Sequence, residues 1–144
     1  MKSLMRFTKL ELTKNQRILT LKTNIYNVWK DNWKVYHGDC VRVAETIESD
    51  SIGFSIFSPP FADLFTYSSD IQDMGNCKGM DDFMLQFGFL IDQLHRIIMP
   101  GRLVAVHCCD LLASKWKDGD IEFKDFSGTL VSAFRDKGWL LHSR

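Results

Sequence analysis

Proline is scarce in this chain: only three of its 144 residues, and two of those, Pro59 and Pro60, are adjacent. No apolar run approaches the roughly 20 residues that a helical membrane span needs, and the first residues lack the apolar core of a secretion signal. These absences lead to the expectation of a cytoplasmic protein with no membrane partner. The four cysteines, Cys40, Cys77, Cys108 and Cys109, form no Cys-x-x-Cys pair. Adjacent cysteines rarely bridge each other, so a reducing compartment is the simpler expectation. No internal repeat or second domain is visible, and the length fits one domain with a modest core.

Net charge is also missing, with 18 basic and 18 acidic residues. The balance hides an asymmetry. Within residues 1–34, Lys2, Arg6, Lys9, Lys14, Arg17, Lys22, Lys30 and Lys34 face only Glu11 and Asp31, so the remainder is acidic by the same margin. Residues 1–32 therefore read as a basic arm. Such an arm either touches phosphates without regard to sequence or is a solvated, partly disordered leader. Arg17–Thr23 reads as a strand or as irregular chain.

From Trp33 onward the pattern is clearer. Lys34–His37 reads as a short strand, Val41–Glu48 as a helix with Val41, Ala44 and Ile47 on one face, and Ile52–Phe57 as a second strand. Two strands around a helix suggest a parallel βαβ unit. A long loop follows from Phe61 to Gly79. A helix beginning at Asp81 repeats Phe83, Phe87, Leu90, Ile91, Leu94, Ile97 and Ile98 at three- and four-residue spacing, and Pro100-Gly101 stops it. Leu103–Val106 is apolar without alternation, as in a strand covered on both faces. Asp118–Asp120 marks a turn, Asp125–Lys137 a helix closed by Gly138, and Trp139–His142 a further strand.

The paired prolines stand immediately after the apolar strand, in Ser58-Pro59-Pro60-Phe61. Each fixes its own φ near −65°, donates no backbone hydrogen bond and pushes the preceding residue out of the helical region. The strand must end there, and no helix can start at once. The result is a stiff loop with a hydroxyl before it, an aromatic ring after it and carbonyls free to accept. Open α/β sheets bind ligands at this end of their strands. Such a loop suits the gripping of a flat base that bears an amino group.

Ser58-Pro59-Pro60-Phe61 resembles the catalytic (Asp/Asn/Ser)-Pro-Pro-(Tyr/Phe/Trp) motif of the DNA amino-methyltransferases, the N6-adenine and N4-cytosine enzymes that use S-adenosylmethionine. Tyr36-His37-Gly38-Asp39-Cys40 stands upstream at the family's usual distance. Met99-Pro100-Gly101 followed by Arg102–Val106 looks like the family's Lys-Pro-Gly-Gly-then-strand element. The resemblance implies an α/β fold: a partial Rossmann-like methyltransferase, its mostly parallel sheet covered by helices on both faces. It implies catalytic roles for Ser58, Pro59, Pro60 and Phe61, cofactor contacts from Asp39, Ser58 and Pro59, no metal, and DNA with its target base flipped out as partner. The setting it implies is a bacterial or phage-infected cell, where such enzymes serve restriction-modification. Residues 33–144 would be the catalytic-motif half of a permuted, phage-type enzyme. That half would end before the Phe-x-Gly-x-Gly loop that holds the cofactor's methionine portion; Gly75–Gly79 has the wrong spacing to serve. A chain so divided would bind the cofactor weakly, and would self-associate or pair with a complementing C-terminal half.

The chemistry that follows is positioning. An exocyclic amine is a poor nucleophile because its lone pair is delocalised into the ring. Ser58 Oγ and the Pro59 carbonyl would accept its two protons, and Phe61 would stack on the base. Serine at the first motif position leans towards cytosine N4. Asp39 reads equally as a cofactor contact or as the cap of the following helix. Asp63, Tyr67, Ser68 and Ser69 read as target contacts or as ordinary loop. His107-Cys108-Cys109-Asp110 reads as strand-end residues, since no second cluster completes a ligand set. Trp29, Trp33 and Trp116 read as base-stacking or core residues. Alternatives to a DNA methyltransferase are an inactive, methyltransferase-like module that binds nucleic acid or a partner, and an enzyme for another planar amine in RNA or protein.

Overall fold

The computed structural model describes residues 6–9, 33–61, 65, 67–69 and 73–144; of 6–9 and 117–118 it describes the backbone alone. The elements run β1 (Arg6–Lys9), α1 (Cys40–Glu45), β2 (Ile52–Phe57), a 3-10 turn (Met74–Asn76), α2 (Met80–Ile97), β3 (Ile98–Val106), β4 (Leu111–Leu112), α3 (Lys115–Asp118), β5 (Phe123–Lys124) and α4 (Phe126–Asp136). The molecule is a mixed α/β structure. The main sheet has the order β1-β2-β3, and β4 pairs with β5 in a small hairpin.

β2 is the central strand, antiparallel to β1 and parallel to β3. Both of its edges are therefore occupied, and the strand expected at 34–37 has no edge of β2 left to join. Only His37 makes an isolated bridge there. The parallel crossover is instead the β2–α2–β3 unit. The basic arm also differs from expectation at Arg6–Lys9, which is a strand of the sheet rather than a solvated leader. The expectation for Arg17–Thr23 lies outside the described residues.

α2 forms where the apolar spacing placed it. Asp81 and Asp82 stand in its first turn and His95 and Arg96 in its last, each charge matching its end of the helix dipole. Phe83, Phe87, Leu90, Ile91, Leu94 and Ile97 are all buried. Each such side chain contributes about 1.5–3 kcal/mol when removed from water. Phe83 stacks on Phe87 at 5.4 Å, Phe57 approaches Phe87 at 6.3 Å, and Phe126 of α4 approaches Phe83 at 5.6 Å. These rings join the end of β2 to both long helices. The helix ends at Ile97, earlier than the Pro100-Gly101 stop. Pro100 and Gly101, the latter with φ +72°, lie inside β3, where a two-residue step along β2 (Ile52 to Phe54) matches a five-residue step along β3 (Ile98 to Leu103). Proline has no N–H to give a ladder, so the bulge is where it fits.

α2 packs against the sheet, with Phe57 of β2 beside its Phe87. Ser55 and Phe57 of β2 point inward and are buried, whereas Phe54 (38% exposed), Ile56 (48%) and Leu103 (50%) face outward. Helices on both faces were expected, as was a β3 covered twice. Among the described residues the second layer is absent, and one parallel and one antiparallel pair replace a mostly parallel sheet. No strand forms at 139–142 either. Gly138, with φ +89°, turns the chain, and the Trp139 ring packs edge-on against Phe134 and His95. No described helix is long and apolar enough to cross a membrane.

Candidate functional site at the carboxyl ends of β2 and β3

Phe57 pairs with Val106 as the last registered pair of the parallel ladder. One further rung exists, because the His107 N–H donates to the Phe57 carbonyl at 2.9 Å. Parallel strands advance together, so Ser58 and His107 emerge side by side. His107 Nδ1 lies 3.5 Å from Ser58 Oγ, and both residues are exposed. The chain then turns inward. Pro59 is buried, and Pro60 and Phe61 are half-buried. The Phe61 ring meets Phe126 edge-on, with centroids 6.0 Å apart and planes at 78°. Phe126 is fully buried on Phe83, so the loop after β2 rests on the core through a chain of rings.

The sequence placed Ser58-Pro59-Pro60-Phe61 at a strand end, and the structure does the same. It divides the motif in a way that the sequence did not. The hydroxyl faces solvent, while Phe61 leans on α4 and leaves only part of its surface open. Sequence reasoning treated His107 as an ordinary strand-end residue and missed its approach to Ser58. The available signal was positional: each residue is the first after a parallel strand.

The segment after β3 is tied to α4. Asp110 Oδ1 accepts from the Ser127 N–H at 3.0 Å, and hydrogen bonding to Ser127 holds the Asp110 carboxyl below its usual range. Asp125 caps the same helix by accepting from the Gly128 N–H at 2.6 Å. Burial pushes the Cys108 thiol up, with a smaller contribution from Cys109 and Asp110. No three His, Cys, Asp or Glu side chains converge as a metal-ligand set among the described residues.

Asp39 is the cap of α1. Its Oδ1 accepts from the Arg42 N–H at 2.9 Å, in an extended conformation. That bond uses one carboxylate oxygen. In the loop after the motif, Ser68 Oγ donates to Asp73 Oδ2 at 2.7 Å, Asn76 Nδ2 donates to the Ser68 carbonyl at 2.8 Å, and the Gly75 N–H donates to Asp73 Oδ1 at 2.9 Å. The Tyr67 and Phe65 rings lie 6.2 Å apart; Tyr67 is half-buried and Phe65 exposed. Tyr67 therefore belongs to a pinned loop end. Ser69 is exposed, whereas Asp63 and Trp29 lie outside the described residues. Trp33 and Trp116 are exposed, not core residues. Compared with family models, curated proteins and solved structures, the chain matches none.

Proposed function

We propose that this chain provides the amine-gripping wall of a Rossmann-like, S-adenosylmethionine-dependent amino-methyltransferase acting on a DNA base, cytosine N4 or adenine N6. The observation that carries this reading is the exposed Ser58 hydroxyl at the end of a parallel strand, followed by a buried Pro59 and a half-buried Phe61. Ser58 Oγ and the Pro59 carbonyl accept the two amine protons out of the ring plane and so favour a tetrahedral nitrogen. Phe61 supports the face of the base, steadied in turn by Phe126. Base–aromatic stacking contributes about 1–3 kcal/mol. It offsets part of the few kcal/mol that extruding a base from the duplex costs. The remaining work is orientation and preorganised electrostatics.

The donor chemistry fits S-adenosylmethionine on one side only. Asp39 keeps one carboxylate oxygen outside its capping bond, suited to ribose hydroxyls, and the Ser58–Pro59 turn would border the reacting end. No glycine-rich strand–loop–helix for a methionine portion occurs among the described residues. When bound, the cofactor supplies an electrophilic methyl group.

The test is incorporation of labelled methyl into DNA by Ser58→Ala and Phe61→Ala, each joined by a complementing half that carries the glycine-rich loop. Losing Ser58 should lower the rate about a hundredfold, the scale of a missing preorganised partner. Losing Phe61 should weaken use of the DNA by about 5- to 150-fold, the equivalent of one stacking contact. Methyl transfer that survives both changes defeats the catalytic reading. A second reading draws on the partly exposed apolar face of Phe54, Ile56 and Leu103: a non-catalytic module that binds nucleic acid or a partner. DNA retention without any methyl transfer, even when a complementing glycine-loop-bearing half is supplied, supports that one.

A further inference from the structure

We infer that His107 acts through Ser58 as the proton acceptor of the reaction, so that the working unit is a Ser58–His107 pair rather than the Pro-Pro motif alone. The inference rests on the amine-methylation reading. It starts from the extra rung of the ladder, which sets the two side chains at the same height, and from the 3.5 Å separation of Nδ1 and Oγ.

Ser58 can serve an amine only if its oxygen lone pairs face the substrate. A serine hydroxyl has one proton, and that proton needs a destination elsewhere. With the imidazole proton on Nε2, His107 Nδ1 is an acceptor, and it lies beside Oγ. The hydroxyl then points sideways to His107, and its lone pairs are left for the amine.

The same arrangement disposes of the proton that methylation releases. The amine nitrogen forms its bond to the methyl carbon, and the carbon–sulfur bond breaks with its electron pair left on sulfur. The nitrogen, now carrying one proton too many and a positive charge, gives a proton to Ser58 Oγ. The Ser58 hydroxyl proton passes at the same time to His107 Nδ1. His107 becomes an imidazolium and, being exposed, returns its extra proton to water. Ser58 ends as it began.

Two measurements on the full chain test the pair. In long-range nitrogen–proton spectra, His107 should show Nδ1 as the unprotonated, hydrogen-bonded nitrogen, and Ser58→Ala should shift that signal. A His107 ring that ignores Ser58→Ala overturns the proposal without use of activity. In the methyl-incorporation assay, His107→Ala should reduce kcat about a hundredfold, the lower end of general acid–base contributions, with KM for DNA within about twofold. Added imidazole should restore part of that loss in His107→Ala. His107→Asn, which accepts a hydrogen bond but takes up no proton, should stay slow. Undiminished turnover in His107→Ala overturns the role of His107 alone. Absence of methyl transfer by the unsubstituted chain supplied with a complementing, glycine-loop-bearing half overturns the amine-methylation reading, and this proposal with it.

Discussion

Single residues in this chain divide between those that the fold silences and those that it presents. Cys40 is silenced. Burial, with the charge of Asp39 second, pushes its thiol from 9.0 up to about 12. Cys109, in contrast, is exposed on the segment after β3. At pH 8 a thiol-selective reagent should consume Cys109 quickly and Cys40 at least about a hundredfold more slowly, because only the thiolate reacts. Unfolding should abolish the difference. The same shift has a stability consequence. A thiol held protonated by the fold costs nothing below pH 9, where both states keep the proton. Above pH 9 the unfolded chain ionises first, and stability should fall by about 1.4 kcal/mol per pH unit until the folded thiol ionises near pH 12. Urea midpoints measured across this range should lose that slope in Cys40→Ala, and an unchanged slope would show that Cys40 is not its source. Ser55 shows the opposite economy. It is fully buried in mid-β2 with no partner for its Oγ among the described residues, a local expense that the surrounding apolar packing absorbs.

At the scale of elements, α2 organises what surrounds it. Arg96, in its last turn, donates from Nη2 to the Ala44 carbonyl and from Nη1 to the Ile47 carbonyl, both at 2.8 Å. Those carbonyls belong to the open end of α1, which a charged donor pair satisfies well. The Asp50 and Ser51 N–H groups donate at 3.0 Å to the carbonyls of Arg96 and Ile97. One helix end thus fixes both the end of α1 and the turn into β2, and through β2 the position of Ser58. Arg96→Lys keeps the charge but loses the fork. It should destabilise the fold by about 1.5–3 kcal/mol, the worth of a charged hydrogen bond, read as a lower denaturation midpoint. A midpoint unchanged within about 0.5 kcal/mol would show that α1 does not depend on this residue. This scale also shows what the sequence could reveal. The apolar period of α2 was legible because each of its buried residues repeats at a fixed local offset. The helix expected at Asp125–Lys137, observed as α4, was legible for the same reason. The strand expected at 34–37 and the overlooked neighbour of Ser58 depend on pairing between distant segments. β1 takes one edge of β2 from the far end of the chain, and His107 meets Ser58 only through the register of two strands separated by a whole helix.

For the whole molecule, burial and charge are both distributed unevenly. Burial is lopsided: the core lies between one sheet face and the helices, and the other face keeps Phe54, Ile56 and Leu103 partly in water. Charge is lopsided too, with eight basic and two acidic residues in the first 34 and a matching acidic excess beyond. The proposed DNA partner makes a quantitative demand on that second asymmetry. Each phosphate neutralised by a basic side chain releases counterions and steepens the fall of log K with log salt by about 0.9. Lys14, Arg17, Lys22 and Lys30 are the positions to change, since Arg6 and Lys9 belong to β1 and altering them would disturb the sheet. Glutamine at all four should flatten the salt dependence of duplex binding by about 0.9 for each contact removed, with the circular dichroism spectrum unchanged. It should also weaken binding evenly across unrelated DNA sequences, because a backbone contact carries no sequence information. If the slope stays where it was, the basic stretch does not reach the phosphates, and DNA affinity must come from the carboxyl ends of β2 and β3, where the slope should then respond to changes around Ser58 and His107.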